Sequence, residues 1–464
     1  MADFSDEQSS TSSQTGEVWT SKWGFVLATA AAAIGLGSLW RFPYVAGVNG
    51  GGAFVLIYTA FVIALCVPVM IAEMVMGKRG HGSVVATMKR LVRSENASPA
   101  WRVVGWLSIA VPFFGLSYYS VVAGWCVDYA REALLNGFSG ADADSSRLLF
   151  EALIAGAVRQ SFIQFAFIFC VATVVAIGVQ RGIEVISRIK MVSLAVVLVG
   201  LVIYNQITFG LGDGIVFLLR PSFEAVTGAS VLTAFGQALF SMAIGAGVLM
   251  TYSAYLPRGV SIGQSAGIVS ISVIVVAMLA GLAIFPIVLA SGLGLAEGPN
   301  LIFVTLPVAF GDMPAGRLVS VAFFALISLG AFTTAVGMLE PVVAWLRELT
   351  GWTRTTVAYA TALAVWLVGL PSLLSFGPLA NVHPLAMVPG FEGKTFFDAL
   401  DFGIAEILLP VNALLIALFA GWAMRSLGRA SSEFSPTGFR FWHISIRYVV
   451  PAAILILLLD SVIR

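Results

Sequence analysis

Long apolar runs, separated by short polar segments, dominate the sequence. A hydrocarbon core of about 30 Å needs roughly 20 apolar residues in a helix to cross it. Runs of that length stand at 23–48, 53–77, 103–133, 160–179, 184–209, 231–256, 265–291, 317–347, 355–374, 396–424 and 441–462. The pattern therefore predicts an all-α polytopic membrane protein with eleven transmembrane helices. Shorter helices are predicted at 81–98, which is basic and amphipathic, and at 145–158.

Glycines interrupt the middle of two of these runs. The first run contains Ala33-Ile-Gly-Leu-Gly37, and the sixth contains the similar sequence Ala243-Ile-Gly-Ala-Gly247. Glycine lowers helix propensity, and lipid does not tolerate unpaired backbone groups, so a break at these places must be enclosed by protein. A pair of glycine-interrupted spans in corresponding halves is typical of a secondary transporter's binding site. The alternative is a close-packing face of small residues on an unbroken helix.

The two interrupted runs suggest an internal repeat. Because the sixth run enters the membrane from the side opposite to the first, the two halves have inverted topology. We predict a flexible cytoplasmic tail at 1–18, a first repeat of five helices at 19–210 and a second at 211–428. The cytoplasmic loop and helix 11 follow at 429–464. Segment 298–314 is apolar but too short to span, and it is predicted to form an extracellular lid loop.

Composition and charge narrow the class of protein. Of 464 residues, 59% are hydrophobic and 11% charged, the mean hydropathy is +0.96, and the net charge of +1 offers no basic surface for nucleic acid. Most Lys and Arg residues, among them Lys78, Arg188 and Lys190, fall in segments on the side of the N-terminus. The positive-inside rule therefore predicts a cytoplasmic N-terminus and, after eleven spans, an external C-terminus.

Six short motifs follow one another along the chain: Trp40-Arg-Phe-Pro43, Asn49-Gly-Gly-Gly-Ala-Phe54, Tyr118-Tyr119, Gly236-Gln237, Thr251-Tyr-Ser-Ala-Tyr255 and Phe303-Val-Thr-Leu-Pro307. They resemble those of the neurotransmitter:sodium symporter family, and the bacterial amino-acid transporters most of all. The resemblance implies a LeuT-type fold of five plus five helices, with helices 1 and 6 unwound in mid-membrane. It also implies a sodium-coupled symporter that imports a neutral amino acid across the bacterial inner membrane by alternating access. A monomer suffices for such transport, and the oligomeric state is not predicted.

The resemblance implies a second sodium site between helices 1 and 8. Thr333 and Thr334 would supply hydroxyl oxygens beside Gly330, and the unwound first helix would supply the carbonyls of Ala31 and Ile34. The alternative is that the two hydroxyls only bond back to carbonyls of their own helix.

The first sodium site departs from the family pattern. Ala33, Ser38 and Ser241 remain, but Ser38 replaces an asparagine and Val273 stands where a second oxygen-bearing side chain is expected. We therefore predict one sodium ion, or a water, proton or substrate group in place of the missing one. A shifted alignment that turns Ser272 inward is the alternative.

Glu73, inside the second span, is a functional candidate because acidic residues are rare in membranes. By resemblance it supports the broken parts of helices 1 and 6. The alternative is that its side chain extends toward Lys78 at the inner surface.

The substrate is predicted to lie between the two breaks. Amides at the start of the second half-helix would attract a carboxylate, and Tyr119 would add a hydroxyl. Gly35 stands where monoamine transporters carry an aspartate, which favours a neutral amino acid, and small residues leave room for a bulky hydrophobic or aromatic side chain. By resemblance to the family, the predicted substrate residues are Ala33, Gly35, Leu36, Gly37, Gly115, Tyr119, Phe240, Ser241, Ala243, Ala246 and Met338.

Gates are predicted on both sides of this site. Outside, Arg41 would pair with Asp398 or Asp401, of which the resemblance favours Asp401, above Phe240 as a hydrophobic lid. Inside, the corresponding residues are Trp19, Tyr255 and Glu348.

Two features of the family are altered or undecided near these gates. Gly16 replaces the expected inner arginine, so we predict a weaker inner gate with an inward-open bias, unless Lys22 substitutes. Tyr58, Gln237 and Ser241 match part of a chloride environment, but Ala277 stands where chloride-independent relatives carry a glutamate, so chloride dependence is undecided.

Two other classes of function are alternatives to a symporter. A sensor that kept the fold but lost ion coupling would suit the altered first site. An enzyme is not favoured, because the sequence has no nucleotide-binding motif and no cluster of His, Cys and acidic residues with catalytic or metal-binding spacing.

Overall fold

The computed structural model describes residues 17–224, 226–257, 259–292, 300–425 and 436–463. Most of the predicted tail 1–18, Gly16, the start of the lid segment and part of the loop at 429–464 therefore lie outside the described residues. Among the described residues helices are the regular elements, and the β-type pairing is one isolated bridge between Gly51 and Pro221.

The first half of the chain forms eight helices. The first two, α1 and α2, meet at an angle of 55° across a short break, which makes them a single bent span. Their bounds are α1 Lys22–Ala33, α2 Gly37–Val48, α3 Gly52–Gly80, α4 Val84–Ser94, α5 Pro99–Leu135, α6 Ala143–Ala155, α7 Ala157–Ile177 and α8 Val179–Thr208.

The second half begins with a short connecting helix. The sixth predicted span is again two pieces, α10 and α11. The bounds are α9 Gly212–Leu219, α10 Gly228–Ser241, α11 Val248–Ala254, α12 Ile262–Ala290, α13 Leu301–Asp312, α14 Gly316–Thr350, α15 Arg354–Leu374, α16 Phe396–Ala423 and α17 Thr437–Ser461.

Nine of the described helices are long and apolar enough to cross a membrane, or ten if α1 and α2 count as one span. The all-α polytopic fold is thus confirmed. The count of eleven is not confirmed by length and hydropathy, because it also requires α10 and α11 to cross together as one broken span.

The broken helices lie at the centre of the bundle. Helix α1 packs against α8, α12 and α14, while α10 and α11 pack against α3. Every residue of α1 from Ala28 to Ala33 is buried. The breaks are therefore enclosed by protein, as backbone without helical hydrogen bonds requires in a membrane.

The described part of the predicted lid, α13, is a docked helix rather than an open loop. The ring of Phe303 stacks on Phe150 with 5.3 Å between centroids, and Tyr129 donates a hydrogen bond of 2.8 Å to the Phe303 carbonyl. We name the ends of the bundle after the orientation that the charges predict. The inner end carries Trp19 and Arg354, and the outer end carries Arg41 and Asp401.

Candidate functional site

The break between α1 and α2 frees backbone carbonyls inside the bundle. In a continuous helix the amide of Gly35 would bond to the carbonyl of Ala31, but it donates to Ala33 at 3.0 Å. Ile34, at ψ 88°, has left the helical conformation. The last carbonyls of α1, at the negative end of its dipole, are therefore available to a cation or a hydrogen-bond donor.

The break between α10 and α11 depends on left-handed backbone. Ala243, Gly245 and Gly247 have φ of 51°, 82° and 71°. A β-carbon on Gly247 would lie 2.4 Å from the carbonyl oxygen of Ser108. This position therefore requires glycine for two reasons, the lack of space for a side chain and the left-handed backbone.

Two buried polar side chains hold this second break. The amide of Gly245 donates to Glu73 Oε1 at 2.7 Å, and the Gly245 carbonyl accepts from Asn412 Nδ2 at 2.7 Å. Glu73 is fully buried, so it does not extend to the inner surface. Sequence reasoning missed Asn412, although an asparagine within an apolar span was a visible signal.

Between the breaks lies a cavity of ≈ 60 Å³. All of the predicted substrate residues except Ser241 line it. Ser241 instead accepts a hydrogen bond of 2.9 Å from Gln237. Eight further residues line the cavity that were not predicted to contact the substrate: Ala32, Val111, Tyr118, Val248, Thr334, Ile404, Ala405 and Leu409.

This inner cavity is apolar apart from a few groups at the first break. The Leu36 amide donates to the Tyr119 hydroxyl at 3.5 Å, and the Thr334 hydroxyl donates to the Ala32 carbonyl at 2.9 Å. A β-carbon on Gly35 would lie 2.3 Å from Thr334 Oγ1 and 3.0 Å from the Tyr119 hydroxyl, so these two hydroxyls lie very close to the backbone of Gly35. No Asp, Glu, Lys or Arg is among the lining residues.

A larger cavity of ≈ 310 Å³ lies on the outer side and shares Leu36, Tyr118, Tyr119 and Phe240 with the inner one. Phe240 therefore lies between the two. The guanidinium of Arg41 sits 4.9 Å from the centre of the Phe240 ring, as a cation over an aromatic face.

The partner of Arg41 differs from the prediction. Its Nη2 lies 2.9 Å from Oε1 of Glu406, whereas among the described residues neither Asp398 nor Asp401 has a basic nitrogen within 4.0 Å, and both line the outer cavity instead. The seven residues Phe402–Leu408 form a turn of wider, π-type helix, which changes the face that Glu406 presents. A carboxylate inside the tenth apolar run was the signal available in the sequence.

The inner end brings Trp19 and Tyr255 together, but not with Glu348. The Trp19 amide donates to the Tyr255 carbonyl at 3.1 Å, and the Tyr255 hydroxyl donates to Glu340 Oε1 at 2.9 Å. Glu348 lies two turns further along α14, where it accepts from the amide of Ser83 at 3.1 Å. The buried acid at this end is therefore Glu340, and assigning Glu348 to it was wrong.

The inner end also has cations that the sequence reasoning did not find. Arg354 forms salt bridges with Glu340 and, at 2.7 Å, with Glu17, and Arg347 lies 3.1 Å from Glu17. Lys22 does not substitute for an arginine here, because its ammonium bonds to Gln264 at 3.0 Å. The acids therefore come from the N-terminal segment, as Glu17, and from α14, as Glu340, while the cations come from α14 and α15.

Several buried oxygen atoms near the first break have no hydrogen-bond partner in the described structure. They are the Ser38 hydroxyl, which was predicted for the first sodium site, and the Tyr58 hydroxyl and the Gln237 side-chain carbonyl, which were predicted for the chloride environment. Gln237 links the site by donating to the Gly37 carbonyl at 2.8 Å and to Ser241.

Neither Val273 nor Ser272 supplies the oxygen ligand that the first sodium site lacks. Val273 is buried and has no oxygen in its side chain, and the Ser272 hydroxyl bonds back to the carbonyl of Ile268 at 2.8 Å. Ala277, where some relatives carry an acid, is also buried.

The predicted second site contains a side chain that the sequence analysis placed elsewhere. The ammonium of Lys190 donates to the carbonyl of Ala31 at 2.6 Å and to the carbonyl of Ile34. Lys190 is fully buried, so its assignment to the cytoplasmic surface was wrong. The prediction failed because Lys190 follows Arg188 in a basic cluster, and the sequence does not show that α8 turns it toward α1.

Of the two threonines predicted for this site, Thr333 faces the Ala31 carbonyl, whereas Thr334 donates to the Ala32 carbonyl and lines the inner cavity. The Thr333 hydroxyl is 3.1 Å from the Ala31 carbonyl, and 3.3 Å from the carbonyls of both Leu329 and Gly330. It can therefore donate either across to α1 or back to its own helix.

Comparisons with known proteins agree with this arrangement. The model of the Sodium:neurotransmitter symporter family matches residues 16–144 and 153–464. An uncharacterised sodium-dependent transporter, YhdH of Bacillus subtilis (strain 168), is 38% identical over 453 residues, 96% of this chain and 97% of the relative. An uncharacterised sodium-dependent transporter of Haemophilus influenzae is 29% identical over 97% of this chain and 99% of its own length.

A solved structure also matches. The crystal structure of MhsT in complex with L-phenylalanine superposes with a TM-score of 0.87 at 35% identity, covering 96% of this chain and 99% of that one. The family consists of transporters rather than enzymes, and its fold is the one predicted here. The chain belongs to the Sodium:neurotransmitter symporter family.

Proposed function

We propose that the chain imports a neutral amino acid with a bulky apolar side chain, in symport with sodium, across the bacterial inner membrane. The observation that carries the proposal is the inner cavity. Residues of both helix breaks line it, and the rest of its lining is mostly apolar. In the proposal the repeats 19–210 and 211–428 move against each other, and the N-terminus is cytoplasmic.

The apolar side of the cavity supports the substrate's side chain. Gly115 leaves space there, since a β-carbon on it would lie 2.8 Å from the terminal methyl of Met338 and 3.6 Å from Ile404. Methionine is flexible, so Met338 can move aside for a large side chain. MhsT, the solved relative, was crystallised with L-phenylalanine, a substrate of this class.

The polar side of the cavity supports an amino-acid backbone. The N-terminus of α2 presents amides and the positive end of a helix dipole, which favour a carboxylate. The Tyr119 hydroxyl lies beside it and is free to turn from the Leu36 amide to a substrate oxygen.

Sodium coupling is proposed at the first site. The unpartnered oxygens of Ser38 and Gln237 support this, because a buried oxygen without a partner is costly and a cation would satisfy it. A sodium ion wants about five or six oxygens, and the carboxylate of the substrate would complete the set. Sodium and substrate would then bind together. Relatives named as sodium-dependent transporters support the choice of ion.

Uptake into proteoliposomes tests the proposal. Tritiated phenylalanine, leucine, tryptophan, alanine and glycine would be offered with an inward gradient of sodium, lithium or potassium. We expect accumulation of the large apolar amino acids with sodium only, and its loss in Ser38→Ala. Binding without gradient-driven accumulation would identify a sensor instead. No binding of any amino acid would show that the assigned substrate class is wrong.

A further inference from the structure

A charged side chain occupies the end of α1. Lys190 comes from α8, and its ammonium contacts the two carbonyls that the break between α1 and α2 releases. An ammonium has three N–H donors and no acceptor, so backbone carbonyls are suitable partners. Lysine is almost never fully buried without such partners, and an ionisable residue inside a membrane protein is a functional candidate by default.

No acid balances this charge in the part of the chain that the structure describes. The helices packed against α8 at this place are α1, α12 and α14. Helix α12 contains no Asp, Glu, Lys, Arg or His, and the only charged residue of α1 is Lys22, which bonds to Gln264. On α14, the buried acid Glu340 pairs with Arg354 at the inner end. The ammonium is therefore stabilised by carbonyls and by the negative end of the α1 dipole.

The same carbonyls are those that a second sodium ion would need. A sodium ion requires about five or six oxygens, and the two from α1 already accept from Lys190. A second cation beside the ammonium would also be repelled at short range in a medium of low dielectric constant. The residues present thus do not fit a free sodium ion at this site.

We infer that Lys190 is a tethered cation that takes the place of sodium at the second site. The site remains a cation site in its geometry, but its occupant belongs to the chain. The inference rests on the proposed function only in taking sodium as the ion that is displaced, and it is independent of which amino acid is carried.

Equilibrium binding of sodium-22 to the purified protein in detergent, without any amino acid, tests the inference. We expect Lys190→Ala to bind about one more sodium ion per chain than the wild type, because its carbonyls are released. Adding Thr333→Ala to this variant should abolish the extra binding. Lys190→Met, which keeps the volume without the charge, should gain less, and Arg188→Ala, which removes an exposed cation two residues away, should gain nothing.

Equal sodium binding by a folded Lys190→Ala variant and the wild type would overturn the inference. If Lys190→Ala does not fold, Thr333→Ala in the wild type decides. For this variant sodium binding is measured at saturating phenylalanine, so that the proposed first site is complete. A sodium affinity within about twofold of the wild type supports the tethered cation, and a loss of about tenfold or more overturns it. Ser38→Ala reports separately on the proposed first site, so the failure of one assignment is distinguishable from the failure of the other.

Discussion

Arg41 and Glu406 form a salt bridge at the outer end of the bundle, with 2.9 Å between Nη2 and Oε1. Because Arg41 lies on α2 and Glu406 on α16, the pair links one helix from each half of the chain, close to Phe240. Both side chains are about one third exposed. A pair in that position contributes modestly to stability, but it directly opposes opening of the outer end.

Glu406→Gln is therefore expected to speed the escape of bound substrate. The loss of about 1 kcal/mol from a partly exposed pair corresponds to a roughly fivefold faster release. The measurement is the dissociation of tritiated phenylalanine from purified protein. Asp401→Asn is the matched control and should change the rate by less than about twofold. The reverse result would show that Asp401 is the functional partner of Arg41.

Glu340→Gln is expected to destabilise the inner end. Glu340 is fully buried between Tyr255 and Arg354, and removing one member of a buried ion pair leaves the other charge uncompensated, at a cost of about 3 kcal/mol. The thermal unfolding midpoint in detergent should fall by several degrees. Glu348→Gln should shift it far less, because Glu348 pairs only loosely with Arg90, at 3.7 Å. Equal shifts would contradict the assignment of Glu340 to this end.

Gly115→Ala is expected to narrow the substrate range. The added methyl group would compress Met338, so uptake of phenylalanine and tryptophan should fall about tenfold relative to that of alanine. Gly200→Ala provides the control, since a β-carbon there meets nothing within 4 Å. Competition between these amino acids for uptake measures the change. An unchanged preference would place the substrate side chain elsewhere.

Asn412→Ala is expected to weaken both folding and substrate binding. It removes the donor to the Gly245 carbonyl and leaves a buried acceptor unsatisfied, which costs about 1–3 kcal/mol. Asn205→Ala is closely matched, because Asn205 also donates to buried carbonyls, at 3.0 Å, but between α8 and α12. Both should lower the unfolding midpoint. Only Asn412→Ala should weaken phenylalanine binding in a scintillation proximity assay, by roughly tenfold.

The positions of the breaks were predictable from the sequence because their cause is local. Gly35, Gly37, Gly245 and Gly247 interrupt apolar runs, and the requirement to enclose unpaired backbone places these breaks at the centre of the protein. The lining residues away from the breaks, such as Gly115 on α5 and Met338 on α14, were predicted from the family resemblance and not from the breaks themselves.

The polar partners were not predictable in the same way. Lys190, Glu340, Glu406 and Asn412 each lie within or beside an apolar run, so the sequence marks them as unusual. Their partners lie on other helices, and those pairings depend on helix rotation. The π-type turn at Phe402–Leu408 changes that rotation without any sequence signal that we recognised.

The covalent attachment of the Lys190 ammonium to the chain has a thermodynamic consequence. A free ion occupies its site according to its concentration in the surrounding solution, whereas a group on a tether has an effective local concentration that the covalent linkage fixes. The contact between Lys190 and the carbonyls of Ala31 and Ile34 is therefore insensitive to external salinity. Dilution of the medium would empty an ordinary sodium site but would leave this junction between α1 and α8 intact.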